Sequence, residues 1–246
     1  YPLKAKNLVS LDLNEESAPG RIDWMPSPDK RIKVPSHPDG VALYRPFTTS
    51  EELYQYEGRG IYVDPAGGGK NGDETVATVC YMLHGYVFVM EQLALPGGFA
   101  DEVFEDLSAL ALKHQVNKID VEKNYGNGMF AQMWRPVIME AYHDAGLPGP
   151  PQIEDIHEVG QKELRIIDTL EPIMARHRLI INEPVWYADI EQVQHYPIDH
   201  RNVYTLWHQL TKICRDKDAL IHDDRVDSLA GAVRMWVERI AVNEET

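Results

Sequence analysis

Two kinds of pattern are missing from this sequence of 246 residues, and each absence excludes a class of protein. Cysteine occurs only as Cys80 and Cys214, without a CxxC pair, so neither a disulfide framework nor a zinc site is expected. No apolar run reaches the ~20 residues of a membrane-spanning helix, and the first residues carry no secretory signal. We therefore expect a soluble, intracellular protein that does not contact membranes.

Basic residues are also in short supply. The sequence has 24 Lys and Arg against 39 Asp and Glu, which gives a formal net charge of -15. Duplex DNA is a dense polyanion, so this balance argues against indiscriminate nucleic-acid binding. Binding to DNA would require basic residues gathered on one face, or divalent ions that neutralise clustered acids. The hydrophobic content of 43% is sufficient for the core of one large domain.

The proline distribution divides the chain in two. Residues 1–55 hold many of the prolines and no sustained periodicity, which is typical of an extended N-terminal arm or linker. Residues 56–246 carry the regular patterns of a folded domain. The chain begins with Tyr1 rather than Met, so we expect it to be part of a longer protein.

Hydrophobic periodicity predicts an α/β domain. Strands are expected at 60–64, 76–83 and 86–95, the last two joined by a tight turn at His84-Gly85. Further along, the pattern predicts strands at 118–122 and 179–181, and helices at 100–115, 127–145, 160–175, 203–213 and 222–242. This order predicts a mixed sheet with helices on both faces.

Acidic residues at two strand ends are candidates for metal chemistry. Asp64 ends the apolar run GIYVD before a glycine-rich turn, and Glu122 ends KIDVE before a turn rich in Asn and Gly. Asp120 shares a strand face with Glu122, which is nearer the strand end. Hydrolysis of a phosphodiester by two divalent ions about 4 Å apart needs carboxylates that converge from separate elements. A solvated turn residue is the alternative interpretation of Asp64.

A third acidic group opens the last predicted helix. Asp224 and Asp227 lie three residues apart in HDDRVD and so share one helical face. An acidic N-terminal cap that interacts with the helix dipole is the alternative interpretation. The spacing does not distinguish which of the two would contact a metal directly.

Taken together, four segments resemble the nuclease domain of the large terminase subunit of short-tailed bacteriophages. They are IYVDPAGGGKNGDETV at 61–76, IDVEKNYGNG at 119–128, GQKELRIIDTLEP at 160–172 and HDDRVDSLAGAV at 222–233. The resemblance implies a ribonuclease H-like fold and an endonuclease that cuts concatemeric viral DNA during genome packaging. It also implies two bound Mg²⁺ or Mn²⁺ ions.

The resemblance assigns roles residue by residue. Asp64, Glu122 and Asp224 or Asp227 are the implied catalytic metal ligands. Lys162 and Arg165 are implied contacts to the DNA backbone, although a solvated helix face gives the same spacing. Three further residues are expected around the ligands: Asp73, Asp120 and His222.

Large terminase subunits also carry an ATPase motor, which needs a phosphate loop of the form GxxxxGK[ST]. No such loop occurs here, because the lysine of Gly67-Gly68-Gly69-Lys70-Asn71 is followed by neither Ser nor Thr. We expect residues 1–55 to lead toward an ATPase domain that this chain lacks. The resemblance implies double-stranded DNA, that ATPase domain, the small terminase subunit and the portal as partners, in the host cytoplasm during virus assembly.

Two other functions remain open from the sequence. One is a docking module of the packaging motor whose acids are structural. The other is a ribonuclease H-like resolvase that acts on branched DNA.

Overall fold

The computed structural model describes residues 1–33, 43–67, 73–124 and 126–236. The strands are β1 (Val9–Leu11), β2 (Ser17–Pro19), β3 (Ile22–Asp23), β4 (Arg31–Ile32), β5 (Leu43–Tyr44), β6 (Thr48–Thr49), β7 (Leu53–Gln55), β8 (Gly58–Asp64), β9 (Thr75–Leu83), β10 (Tyr86–Leu95), β11 (Lys118–Glu122), β12 (Ile153–Ile156) and β13 (Leu179–Asn182). The helices are α1 (Asp101–Lys113), α2 (Met129–Asp144), α3 (Lys162–Ala175), α4 (Glu183–Glu191), α5 (Arg201–Tyr204), α6 (Leu206–Lys212) and α7 (Asp224–Arg234). Within these ranges every helix is too short or too polar to cross a bilayer.

A single mixed sheet organises the described residues, in the order β12-β11-β8-β9-β10-β13-β1-β5-β4. The strands β8, β9 and β10 are antiparallel neighbours, and β11 runs parallel to both β8 and β12. The predicted tight turn between β9 and β10 is confirmed by positive φ angles of 49° at His84 and 76° at Gly85. All nine residues of β9 are buried, as in a strand covered on both faces.

Helices cover both faces of the sheet, as predicted. Val79 and Phe88 point toward one core, which contains side chains of α1 and α2. Cys80 and Val87 point toward the opposite core, which contains side chains of α3 and α7. This alternation along β9 and β10 is the period of two expected for strands buried between helical layers.

Parts of residues 1–55 belong to the same sheet. The strand β1 pairs in parallel with β13 and with β5, and Leu3 and Leu8 are buried in the core on the α3 side. The strand β4 pairs with β5 at the edge of this sheet. Two-stranded ribbons are formed by β2 with β7 and by β3 with β6. The division at residue 55 stays a prediction.

Several elements differ from the sequence-based expectations. The strand β12 and the helix α4 were not predicted, and the predicted helix at 203–213 is interrupted at Thr205, which caps α6 by accepting a hydrogen bond from the His208 amide. The predicted end of the last helix, at 242, falls outside the described residues, as does most of the glycine-rich turn after Asp64.

Glycines lie on both sides of the contact between β8 and the C-terminal part of α7. A Cβ at Gly231 would overlap the ring of Tyr62, and a Cβ at Gly60 would come within 2.7 Å of the Met235 methyl group. Neither position therefore has room for a side chain unless its neighbours shift.

Candidate metal centre

Three acidic side chains from three elements meet at one edge of the sheet. Val63 of β8 pairs in parallel with Val121 of β11, so the residues that follow, Asp64 and Glu122, lie side by side. Asp227 approaches them from the first turn of α7, which packs on β8 and β9. All three are buried, with exposed fractions of 8%, 9% and 2% respectively.

The oxygens of this cluster are spaced as metal ligands are. One carboxylate oxygen from each of Asp64, Glu122 and Asp227 lies within 4.8 Å of the other two. Oxygens bound to Mg²⁺ or Ca²⁺ lie ~2.0–2.6 Å from the ion, so two ligands of one ion stand at most ~5 Å apart. Asp64 Oδ2 is buried and has no hydrogen-bond partner among the described residues. This donor set fits a hard divalent cation.

Burial and mutual repulsion disfavour the charged forms of these acids. Burial raises the pKa of Asp64 well above its ordinary value, and the neighbouring charge of Asp227 raises it further. Burial and Asp227 raise the pKa of Glu122 in the same way. A bound divalent cation would offset this repulsion and favour the charged forms of both acids.

Two basic side chains on α3 contact Asp227. The Lys162 ammonium lies 3.2 Å from Asp227 Oδ2 and donates a 2.8 Å hydrogen bond to Asp223. Arg165 Nη2 donates to both oxygens of Asp227, at 3.0 and 2.9 Å. Burial alone would lower the pKa of Lys162, but the carboxylates of Asp227 and Asp64 outweigh it and raise that pKa. The predicted role of Lys162 and Arg165 in binding DNA stays a prediction.

A second group of metal-ligating side chains contains Asp73, His222 and Asp224. Their nearest ligand atoms also lie within 4.8 Å of one another. His222 stacks on Tyr204 with ring centroids 3.9 Å apart, which fixes the imidazole beside Asp73. Burial and the nearby Asp73 raise the pKa of Asp224 to about 7. The acids at 224 and 227, which the sequence left as alternatives, thus belong to different groups.

Asp120 lies on the same face of β11 as Glu122 but outside both groups. It is 4% exposed, 3.5 Å from the Lys118 ammonium, and its Oδ1 has no hydrogen-bond partner among the described residues. Burial raises its pKa to about 6. Its predicted place near the metal ligands stays a prediction.

Two charged groups near the cluster were not found from the sequence. Glu158 contacts Arg165 and Arg234, and the buried Arg225 of α7 bonds to Glu74 and Asp189. The partners lie up to 151 residues apart, as for Arg225 and Glu74, so no local spacing pairs them.

Comparison with known proteins agrees with this architecture. Residues 63–179 match the family model described as the ribonuclease H-like domain of the bacteriophage T7 terminase. Over 242 residues the chain is 36% identical to the large terminase subunit of Enterobacteria phage T3, a match that covers 97% of this chain and 39% of that protein. The chain therefore spans about two fifths of the length of this relative.

A solved structure shares the fold at low sequence identity. The human cytomegalovirus terminase nuclease domain, in a manganese-soaked and inhibitor-bound form, has a TM-score of 0.52 at 12% identity. The match covers 76% of this chain and 86% of that domain. Together with the family match, this likeness confirms the predicted ribonuclease H-like fold.

Proposed function

Because this chain belongs, through residues 63–179, to the ribonuclease H-like domain family of the bacteriophage T7 terminase, we propose that it is a metal-dependent DNA endonuclease. Its substrate is concatemeric double-stranded viral DNA, which it cuts during genome packaging in the host cytoplasm. The observation that carries the proposal is the convergence of the buried carboxylates of Asp64, Glu122 and Asp227.

Each acid has a distinct part in the proposed site. Asp64, with an unpartnered oxygen, is the central ligand, and Glu122 and Asp227 complete the set from either side. Bound Mg²⁺ or Mn²⁺ would supply the activation of a water nucleophile and the neutralisation of the leaving oxygen. The group of Asp73, His222 and Asp224 offers ligands for the second of two ions.

The basic side chains on α3 would act on both the acidic cluster and the DNA substrate. Lys162 and Arg165 hold Asp227 in place and reduce the negative charge that an approaching DNA phosphate meets. This local compensation matters because the chain as a whole carries a formal net charge of -15.

The wider assembly is proposed from the family. The chain spans 39% of its phage T3 relative, and residues 1–55 would lead toward a packaging ATPase domain in the same protein. The small terminase subunit and the portal are the further proposed partners.

Plasmid cleavage tests the proposed activity. Purified protein should nick and linearise supercoiled plasmid with Mn²⁺ or Mg²⁺ and not with EDTA. Asp64→Ala should lower the rate about a thousandfold, since loss of a central ligand costs several kcal/mol of transition-state stabilisation. Asp168→Ala, which removes an exposed acid on α3, is the matched control and should cut at the wild-type rate.

Other outcomes separate the alternative functions. Equal cutting by wild type and Asp64→Ala would assign the cleavage to a contaminant or another site. Absence of cleavage, with a thermal midpoint that Mn²⁺ does not change, would leave a docking module. A strong preference for four-way junctions over linear duplex would indicate a resolvase.

A further inference from the structure

Glu158 lies in the connection between β12 and α3, and its carboxylate is buried among charged groups. The residue is 8% exposed. Tyr62 donates a 3.2 Å hydrogen bond to Oε1, Arg234 donates to the same oxygen, and Arg165 Nε lies 3.4 Å from Oε2. None of the sequence motifs includes this residue. We propose that Glu158 is a positioning residue: it fixes the Arg165 guanidinium and thereby the way Asp227 is presented to a cation.

The side-chain link runs from Glu158 through Arg165 to Asp227. Arg165 Nη2 donates to both Asp227 oxygens, while Arg165 Nε faces Glu158 without a well-aligned hydrogen bond. The Glu158 contact is therefore electrostatic, and the guanidinium is shared between two carboxylates. Because the Arg165 side chain is only 14% exposed, water screens this sharing poorly. Without the charge of Glu158, Arg165 would bind Asp227 more strongly and compete with a metal ion.

A main-chain link joins Glu158 to the neighbourhood of Glu122. Asn124, two residues beyond Glu122, donates from Nδ2 to the Glu158 carbonyl at 2.8 Å and accepts from the Glu158 amide at 3.1 Å. The same residue therefore connects the turn after one acid of the cluster to the arginine that holds another. Buried groups that orient metal ligands commonly change metal affinity or activity 10- to 100-fold when removed.

Arg234 ties the same carboxylate to the far end of α7. It lies seven residues beyond Asp227, which is about 10 Å along the helix axis. Glu158 thus restrains α7 at its C-terminal end and, through Arg165, near its N-terminal end. A rotation of the helix that displaced Asp227 would have to break both contacts.

Glu158→Gln tests the inference, which rests on the proposed nuclease function. The substitution keeps the shape and removes the charge. We expect about a tenfold higher Mn²⁺ concentration for half-maximal thermal stabilisation, and the same increase for half-maximal plasmid cleavage, with cleavage recovered at saturating Mn²⁺.

Glu183→Gln is the matched control. Glu183 is also 8% exposed and also pairs with an arginine, Arg45, at 2.5 Å, but it belongs to α4. The Glu183→Gln substitution should shift the thermal midpoint measured without metal and leave the half-saturating Mn²⁺ concentration at the wild-type value. Asn124→Ala, which removes the main-chain link and keeps the charge, should raise that concentration by less than Glu158→Gln; it decides the question if Glu158→Gln does not fold.

Two results would overturn the inference, and only one of them would also overturn the proposed nuclease function. An unchanged half-saturating Mn²⁺ concentration in Glu158→Gln, as in the control, would make Glu158 a structural residue while the nuclease function stands. Wild-type protein that neither responds to Mn²⁺ nor cleaves DNA would remove the proposed function, and the inference with it.

Discussion

Helix α7 carries two buried charged groups that are organised in opposite ways. Arg225, 1% exposed, donates to both oxygens of Glu74 and to Asp189. The remaining Asp189 oxygen accepts from the Trp207 amide, and Tyr196 donates to Glu74. Two residues later, Asp227 faces a cluster in which a buried oxygen of Asp64 has no partner among the described residues.

The comparison separates a charged group that holds the fold together from one suited to bind a ligand. Buried charges are tolerated when each oxygen and each N–H has a partner, as around Arg225. A cluster of acids in which a buried oxygen has no partner costs stability in the absence of a cation. Burial alone does not distinguish the two groups; the balance of donors and acceptors does.

Removing an arginine from each group should give the sharpest contrast. Arg225→Met should lower the free energy of unfolding by about 3–5 kcal/mol, because Glu74 and Asp189 lose their buried countercharge. Arg165→Met should cost less, and Mn²⁺ should recover part of the loss by neutralising Asp227 in its place. Chemical denaturation with and without Mn²⁺ measures both. Equal recovery in the two variants would contradict the distinction.

The pH dependence of stability should differ between wild type and Asp224→Asn. The pKa of Asp224 is raised to about 7, so the stability contributed by its protonated form is present below about pH 4 and is lost as pH rises through 7. Without metal, the variant should therefore gain on wild type between pH 5 and pH 8, by no more than about 3 kcal/mol, because about two pH units separate pH 5 from the raised pKa and each is worth roughly 1.36 kcal/mol. Thermal melts across this pH range, with Asp168→Asn as control, measure the difference. A pH-independent difference would contradict the assigned burial effect.

The smallest predicted effect concerns the group around Arg225, in which donors and acceptors are paired. Tyr196→Phe removes one hydrogen bond to Glu74, of 3.1 Å, while Arg225 continues to hold that carboxylate. The free energy of unfolding should fall by about 1 kcal/mol, without a change in the Mn²⁺ dependence of stability. An altered Mn²⁺ dependence would show that the two groups are coupled.

Elements with long periodic patterns were predictable from the sequence, and short ones were not. The strands β8 to β11 and the helices α1 to α3 follow clear apolar patterns. The strand β1 has only three residues and owes its place to pairing with β13, about 170 positions later. Helix α4 follows β13 without a connecting loop, so no break in the sequence separates it from the strand, although Asn182 and Pro184 are residue types typical of a helix start.

The acids of the candidate site were predictable because they end regular elements, but their grouping was not. Asp224 and Asp227 share a helical face, yet they stand about 4.5 Å apart along the axis, which is enough to place them in different groups. The role of Glu158 was not predictable because its partners Tyr62, Asn124 and Arg234 lie 96, 34 and 76 residues away in sequence. Such contacts depend on tertiary packing, which local spacing does not encode.

Gly231, at the contact between α7 and β8, makes the candidate site sensitive to side-chain volume at a position outside the site. Gly231 lies one helical turn beyond Asp227, and the ring of Tyr62 occupies the space that a Cβ would need. Even an alanine there would force the ring or the helix to move, and a shift of the helix would move the 227 carboxylate relative to those at 64 and 122. A substitution at Gly231, which contacts none of the three acids, would thus impair the metal centre only through the volume of the added side chain.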